Sequence, residues 1–281
     1  MILCFLADVA AAQESPKPLP DLDSFLQAVR KNLHSDRLLL SQYTFTEKVS
    51  VRTLSNNGTT KKTEERIYEV YPSVEEELTY RKLVSRDGKP LSAEELEKQE
   101  REQDKKLDRY RRRMGQAESE GQDNLKEARR EEERVLDEIL DIYDVAILGR
   151  SLEVQHSAII LSFQPRRDYR PRTKGGRILA KVGGKAWVSE EDLQLIRVEA
   201  QLVDSISFGL GLLARLDRGA TAVFEQRKVN NEIWLPASAR FSGTGRLFLF
   251  KGLNLDLQSD YSDYRRFSVR TLVEFETDKR K

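Results

Sequence analysis

Residues 43–52 read Tyr43-Thr44-Phe45-Thr46-Glu47-Lys48-Val49-Ser50-Val51-Arg52, and apolar and polar side chains alternate along most of this stretch. Successive side chains of a β-strand point to opposite faces of the sheet, so the alternation predicts a strand with one buried face and one solvated face. Asn56-Asn57-Gly58 predicts a hairpin turn after it, because Asn and Gly tolerate the positive φ of a tight turn. The pattern therefore predicts an antiparallel sheet that begins at Tyr43.

The same period returns along the rest of the chain. Two more strands are predicted before the turn Asp87-Gly88, and further strands follow after Tyr143, at 154–163, 178–188, 195–202, 220–229, 233–243, 247–257 and 266–276. Gly183-Gly184 predicts a tight reversal between two of them. A helix is predicted before the first strand from the spacing of Leu22, Phe25, Leu26, Val29 and Leu33. These elements predict a mainly β domain over residues 21–276.

Residues 91–141 interrupt the β pattern with 17 acidic and 12 basic residues. Ser92 with Glu95 three residues later predicts a capping box at the start of a helix. Apolar residues at helical spacing then stop around Gly121 and resume, which predicts an antiparallel helical hairpin inserted into the β domain. Two interpretations stay open at this point, a solvated charged arm and a coiled coil that binds a partner.

Composition excludes several classes of function. The 48 Lys and Arg residues against 47 Asp and Glu give a net charge of +1, whereas nucleic-acid binders normally have a basic excess. Two His residues and one Cys cannot form a zinc site of the usual kind, and no nucleophile elbow, phosphate loop or paired-histidine motif is present. The sequence therefore predicts no nucleic-acid partner, no catalytic residue, no metal site and no cofactor.

The N-terminal residues indicate export. Residues 1–12 are apolar apart from Asp8 and end in small residues, which is typical of the second half of a secretory signal peptide. Residues 13–20 contain Pro16, Pro18 and Pro20 and predict a linker, while residues 277–281 are interpreted as a tail. We therefore expect a periplasmic or otherwise exported protein.

Several landmarks recur in a recognisable order, namely 160–165 (Ile-Leu-Ser-Phe-Gln-Pro), 184–189 (Gly-Lys-Ala-Trp-Val-Ser), 195–200 (Leu-Ile-Arg-Val-Glu-Ala), 234–236 (Trp-Leu-Pro) and 261–267 (Tyr-Ser-Asp-Tyr-Arg-Arg-Phe). Their order resembles the outer-membrane lipoprotein carrier and sorting superfamily, which has the LolA-like fold. The resemblance implies a half-open antiparallel β-barrel that holds helices on its concave side and binds acyl chains or other apolar ligands. The charged insert is not part of that pattern, and no functional residue of the carriers transfers by motif.

The leading hypothesis is a non-enzymatic envelope protein that binds a lipid, a lipoprotein acyl chain or a similar amphiphile. We expect the ligand to contact Tyr43, Phe45, Ile196, Val198, Leu202, Phe208, Leu210, Leu213, Phe248 and Phe250. The apolar stretch Ser205–Leu216 allows a flap over a cavity, a peripheral membrane contact or an ordinary strand and turn. In the alternative hypothesis the barrel is filled by its own side chains, and residues 91–141 dock an envelope protein. A hydrolase is the third hypothesis.

Overall fold

A single antiparallel sheet of thirteen strands, which does not close on itself, forms the body of the protein. The computed structural model describes residues 17–32, 37–55, 57–74, 76–116, 130, 133–153, 156–208, 213–247 and 251–266. The strands are β1 (Tyr43–Leu54), β2 (Thr60–Tyr71), β3 (Tyr80–Arg86), β4 (Lys89–Pro90), β5 (Tyr143–Glu153), β6 (His156–Pro165), β7 (Val182–Ser189), β8 (Leu195–Leu202), β9 (Ile206–Phe208), β10 (Ala214–Leu216), β11 (Thr221–Val229), β12 (Ile233–Leu247) and β13 (Lys251–Arg266). The predicted mainly β, half-open architecture with helices is confirmed.

The strand order brings the two ends of the domain together. The order is β4-β3-β2-β1-β13-β12-β11-β8-β7-β6-β5, and β9 and β10 branch from β12. Strand β1 pairs with β13 in a register that places Val49 opposite Ser259 and Val51 opposite Leu257. Strands β4 and β5 are consequently the two edges of the sheet.

The helices are α1 (Leu22–Asn32), α2 (Arg37–Leu40), α3 (Ala93–Gln116), α4 (133–142) and α5 (Lys174–Leu179), with a 3₁₀ turn at Glu76–Leu78. The predicted apolar face of α1 is confirmed, because Phe25 and Val29 are buried against Ile159, Leu161 and Val188. Burial of each of these two α1 side chains contributes roughly 2 kcal/mol. We call the side of the sheet that carries α1 the helix face.

A bulge in β8 sends neighbouring side chains to different faces. Leu195 packs in the α1 cluster, whereas Ile196 packs with Trp187 and Trp234 in a separate cluster. The register shifts between Trp187 and Val188, so β8 carries the extra residue. Ile196 therefore lies on the face opposite the helix face.

The insert links the two edges of the sheet. Helix α3 begins just after β4, and the predicted capping box is confirmed by the hydrogen bonds from Glu95 N to Ser92 Oγ (3.2 Å) and from Ser92 N to Glu95 Oε2 (3.0 Å). Helix α4 leads directly into β5 at the other edge. The junction near Gly121 lies outside the described residues, so the helical hairpin stays a prediction.

Three local expectations differ from the structure. The strand predicted at 178–188 begins only at Val182, because Thr173 caps a helix that runs to Leu179. Gly183 and Gly184 lie inside β7 rather than in a tight reversal. A side chain at Gly184 would collide with the backbone of β8, so glycine allows the two strands to approach closely. Strands β12 and β13 also extend beyond the predicted 233–243 and 247–257, because their polar residues occupy one solvated face without interrupting the pairing. The predicted turn at Asp87-Gly88 is confirmed by positive φ at both residues.

The signal-peptide residues 1–12, the strand predicted at 267–276 and the tail 277–281 lie outside the described residues. Within the described part of the chain, no helix is both long enough and apolar enough to cross a membrane.

Candidate ligand-binding face

Two parallel rows of mostly apolar side chains cross the middle of the helix face. The first row places Val51, Leu257, Phe241 and Ala222 opposite one another on β1, β13, β12 and β11. The second row places Ala239, Phe224 and Val198 opposite one another on β12, β11 and β8. We call these seven residues the apolar strip.

The apolar strip continues the core that lies under α1. Val198 pairs with Ala186, which pairs with Leu161 of the α1 cluster. Directly paired residues of neighbouring strands point to the same side, so the strip and the α1 cluster share one face. Leu161 is buried, whereas all seven strip residues are only half-buried. The strip is therefore apolar surface that remains partly open to solvent.

Aromatic and basic side chains lie at one end of the strip. The Phe45 ring contacts the rings of Tyr264 and Tyr261, with centroids 5.1 and 5.9 Å apart. The Arg227 guanidinium lies over the Tyr264 ring, 5.6 Å from its centroid. Burial raises the pKa of Tyr264, and its hydroxyl donates a hydrogen bond to the carbonyl oxygen of Pro236 at 2.7 Å.

An ion pair between an exposed arginine and a buried carboxylate adjoins this aromatic group. The Arg81 side chain donates to Glu47 Oε2 from Nε at 2.9 Å and from Nη2 at 2.6 Å, and Glu47 is 7% exposed. Arg81 also lies over the Tyr68 ring, 4.5 Å from its centroid. The charge of Arg81 is thus neutralised within the fold.

The opposite face of the same strands has a different chemistry. A cleft of about 450 Å³ there is lined mainly by residues that alternate with the strip, and it also touches Phe241 and Leu257 of the strip itself. The alternating residues are Ser50, Arg52, Thr221, Val223, Arg240, Ser242, Asp256 and Gln258. Its two arginines are paired, Arg52 with Asp256 at 3.0 Å and Arg240 with Glu225 at 3.5 Å. Two ion pairs and several polar side chains make this cleft less suited to an acyl chain than the apolar strip.

One group of possible metal ligands occurs in the described residues, formed by His156, Glu191 and Asp192, whose ligand atoms lie within 4.8 Å of one another. Both oxygens of Asp192 accept hydrogen bonds from Lys228 (2.9 and 3.0 Å), and one also accepts from Trp234 Nε1 at 2.8 Å. Although burial alone would raise the pKa of Asp192, the bonds from Lys228 and Trp234 hold it below its ordinary value. Lys228 therefore already pairs with Asp192, and these bonds tie the Asp192 carboxylate into a network with Trp234.

The residues predicted from the sequence to contact a ligand do not lie together in the structure. Phe45 and Val198 lie on the helix face, the latter in the apolar strip. Tyr43 is fully buried beside Ile233 and Leu235, and Leu202 packs with Ile206 and Ala220. Ile196 lies on the other face, and Leu213 is 57% exposed. The Phe208 side chain and residues Leu210, Phe248 and Phe250 lie outside the described residues, and the predicted lining stays a prediction.

The described parts of the stretch 205–216 form two short paired strands, and residues 209–212 lie outside the described residues. Ile206 of β9 pairs with Leu216 of β10 and is buried, and Ala214 of β10 pairs with Leu247 of β12. The two ends of the stretch therefore belong to the sheet, and the three interpretations of its central part stay open.

Sequence reasoning missed Phe224, Phe241 and Leu257 of the strip, together with Arg227. A signal for the first three was present, since Ala222 and Phe224, Ala239 and Phe241, and Leu255 and Leu257 each recur at a period of two. No sequence signal placed these three strands side by side.

No family profile and no curated protein sequence matches the chain. Solved structures with similarity include a LolA superfamily protein from Nitrosomonas europaea, with 12% identity, coverage of 89% of this chain and 96% of that chain, and a TM-score of 0.34. A putative outer membrane lipoprotein-sorting protein domain from Vibrio parahaemolyticus has 11% identity, coverage of 91% and 96%, and a TM-score of 0.31. A Pseudomonas aeruginosa MucA/MucB complex has 12% identity, coverage of 86% and 100%, and a TM-score of 0.21. The first two structures carry the names of the superfamily that the sequence landmarks resemble.

Proposed function

We propose that this is an exported envelope protein that binds the acyl chain of a lipid, a lipoprotein or a similar amphiphile along the apolar strip, without catalysis. The observation that carries the proposal is the continuity of the strip across strands β8, β11, β12, β13 and β1, with every member half-buried. Contiguous apolar surface that the fold leaves partly exposed is typical of a binding site.

The dimensions suit an extended chain. Neighbouring strands lie about 4.8 Å apart, so the strip from β8 to β1 spans about 19 Å. This span is comparable to a long-chain fatty acid in extended form. Removing roughly 200 Å² of apolar surface from water would contribute about 5 kcal/mol, which supports binding without any catalytic or charged group.

The experiment compares the two faces of one strand. Phe224→Gln and Phe241→Gln place a polar group in the strip, and we expect each to weaken uptake of a fluorescent fatty acid about tenfold. Val223→Gln is the matched control, because Val223 lines the cleft on the opposite face. Circular dichroism confirms that each variant is folded. Binding that is equal in the wild type and both Phe variants would contradict the proposal.

A second candidate function, docking of an envelope protein by the insert, is favoured by the arrangement of α3. Gln99 and Gln103 of α3 hydrogen-bond the backbone next to and within β3, whereas Arg101, Arg109 and Arg112 are exposed. The helix is therefore anchored along one side and presents charge on another. Reversing the three exposed arginines to Glu would abolish capture of a partner but leave acyl-chain uptake unchanged. Deleting all of 91–141 is a poorer test, because it would remove the buried Glu138.

A further inference from the structure

The strip ends at the guanidinium of Arg227, which has no carboxylate partner in the described part of the chain. Arg227 Nη2 donates to the carbonyl oxygen of Tyr261 at 3.1 Å, and its Cζ lies 5.6 Å from the Tyr264 ring centroid. Among the described residues, no carboxylate oxygen lies within 4.0 Å of Arg227, whereas Arg52, Arg81, Arg197 and Arg240 of the same sheet each have such a partner.

The surroundings of Arg227 leave a net positive charge. Glu47 of β1 lies opposite Tyr261 of β13, and the carbonyl oxygen of Tyr261 accepts the hydrogen bond from Arg227. Arg81 binds Glu47 at 2.6 Å, so these two charges cancel. The group formed by Glu47, Arg81 and Arg227 therefore carries one uncompensated positive charge.

Arg227 lies on the same face as the apolar strip. It contacts Tyr264, and Tyr264 contacts Phe45, which alternates with Glu47, Val49 and Val51 along β1. Arg227 follows Phe224 by three residues on β11, a distance of about 10 Å along the strand. Strict alternation would put these two side chains on opposite faces, but the pairing with β12 shifts register between Glu225 and Gln226, and the contact with Tyr264 places Arg227 on the helix face. The cationic side chain of Arg227 thus lies at one end of the apolar strip.

We infer that Arg227 binds the anionic headgroup of an amphiphile whose chain lies on the strip, an inference that rests on the proposed function. A guanidinium has five N–H donors in a planar fork that matches a carboxylate or a phosphate, and the described hydrogen bonds use one of them. Stacking on Tyr264 restrains the guanidinium before the ligand arrives, which lowers the entropic cost of binding. The ligand class is therefore a long-chain acid or an acidic phospholipid rather than a neutral lipid.

The test uses three amphiphiles with the same chain, which are palmitate, hexadecyl phosphate and uncharged hexadecanol. We expect Arg227→Gln to weaken the binding of palmitate and hexadecyl phosphate about tenfold or more. The affinity for hexadecanol should stay within about twofold of the wild-type value. Arg227→Lys keeps the charge and is expected to retain most of the preference for the acids. Arg240→Gln, on the opposite face, is the matched control and is expected to change none of the three. Tighter wild-type binding of palmitate or of hexadecyl phosphate would identify a carboxylate or a phosphate headgroup, respectively.

Two further outcomes separate this inference from the proposed function. If the wild type binds palmitate and Arg227→Gln binds it equally well, or loses palmitate and hexadecanol to the same extent, the headgroup assignment is wrong and the strip stands. If the wild type binds none of the three amphiphiles, the proposed function is wrong, and the assignment of Arg227 falls with it.

Discussion

The carboxylate of Glu138 in α4 accepts two hydrogen bonds from Thr173, one from its backbone N–H at 3.1 Å and one from its hydroxyl at 2.6 Å. Tyr169 and the backbone N–H of Arg172 donate to the other oxygen, and Glu138 is 1% exposed. Burial alone would raise the pKa of Glu138, but these donors hold it below the ordinary value. The same Thr173 hydroxyl caps α5 by accepting from Gly176 N. One carboxylate therefore fixes the end of the insert to the loop before α5.

Replacing Glu138 should be among the most destabilising changes in the chain. Glu138→Ala leaves two buried N–H groups and two hydroxyls without their acceptor, and we expect the free energy of unfolding to fall by about 3 kcal/mol. Chemical denaturation measures the change. Thr173→Ser keeps the hydroxyl and the backbone donor, so it should cost less than about 1 kcal/mol, and an equal loss in both variants would contradict the assigned network.

Glu190 should contribute to acid sensitivity. Hydrogen bonds from Arg150 and Ser157 lower the pKa of Glu190 from 4.5 to about 2. Burial alone would raise this pKa, but the hydrogen bonds from Arg150 have the larger effect. A depressed pKa stabilises the folded state fully above the unfolded value, and this contribution is lost as the pH falls from about 4.5 toward about 2. Glu190→Gln should therefore lose less stability than the wild type across that window in thermal unfolding. The adjacent, exposed Glu191→Gln should follow the wild-type curve, and identical curves for all three proteins would refute the prediction.

The side chain of Gln99 in α3 hydrogen-bonds the backbone of β3. Gln99 Nε2 donates to the carbonyl oxygen of Leu83, and Leu83 N donates to Gln99 Oε1, both at 2.9 Å. Gln99→Ala removes both bonds, and we expect the Leu83 amide to exchange with solvent about tenfold faster. Hydrogen exchange followed by mass spectrometry or NMR provides the measurement. Glu97→Ala, an exposed position on the same helix, should leave the exchange rate unchanged.

Gly184 allows β7 and β8 to approach each other closely. A Cβ atom at Gly184 would collide with the carbonyl oxygen of Glu199 and lie 3.0 Å from Ala200 Cα, and both are backbone atoms. Gly184→Ala should therefore lower the free energy of unfolding by about 3 kcal/mol. Gly252→Ala is the matched control, because a Cβ there meets no atom within 4 Å, and it should be close to neutral in the same denaturation experiment.

The local pattern was sufficient for the faces of single strands and for the first helix. Phe25 and Val29 could be assigned to a buried helix face from spacing alone, and Val49 and Val51 to one side of β1. Ile196 and Val198 were predicted to share one face, but they lie on opposite faces in the structure. The reason is a bulge in β8 that reverses the alternation between them. A bulge depends on the paired strand, so the spacing of residues within β8 does not reveal it.

The insert also contains a feature that the local sequence pattern does not reveal. Its charge density separates residues 91–141 from the β domain in the sequence, yet Glu138 within it is one of the most buried side chains described. The reason is that its acceptors are matched by donors at 169–173, which are near it only in the folded chain. Charge along a sequence indicates solvation on average and does not identify a carboxylate that is buried with its partners.

The sequence by itself determined that the protein is mainly β, that one helix packs on the sheet, and that a charged helical segment interrupts it, because these properties follow from the period of neighbouring residues. Only the tertiary structure decided that Val51, Leu257, Phe241 and Phe224 share one apolar strip and that Arg227 lies at its end. These residues come from both halves of the chain, and long-range pairing such as β1 with β13 sets their register. An apolar surface assembled across five strands depends on that register, which alternation within each strand leaves undetermined.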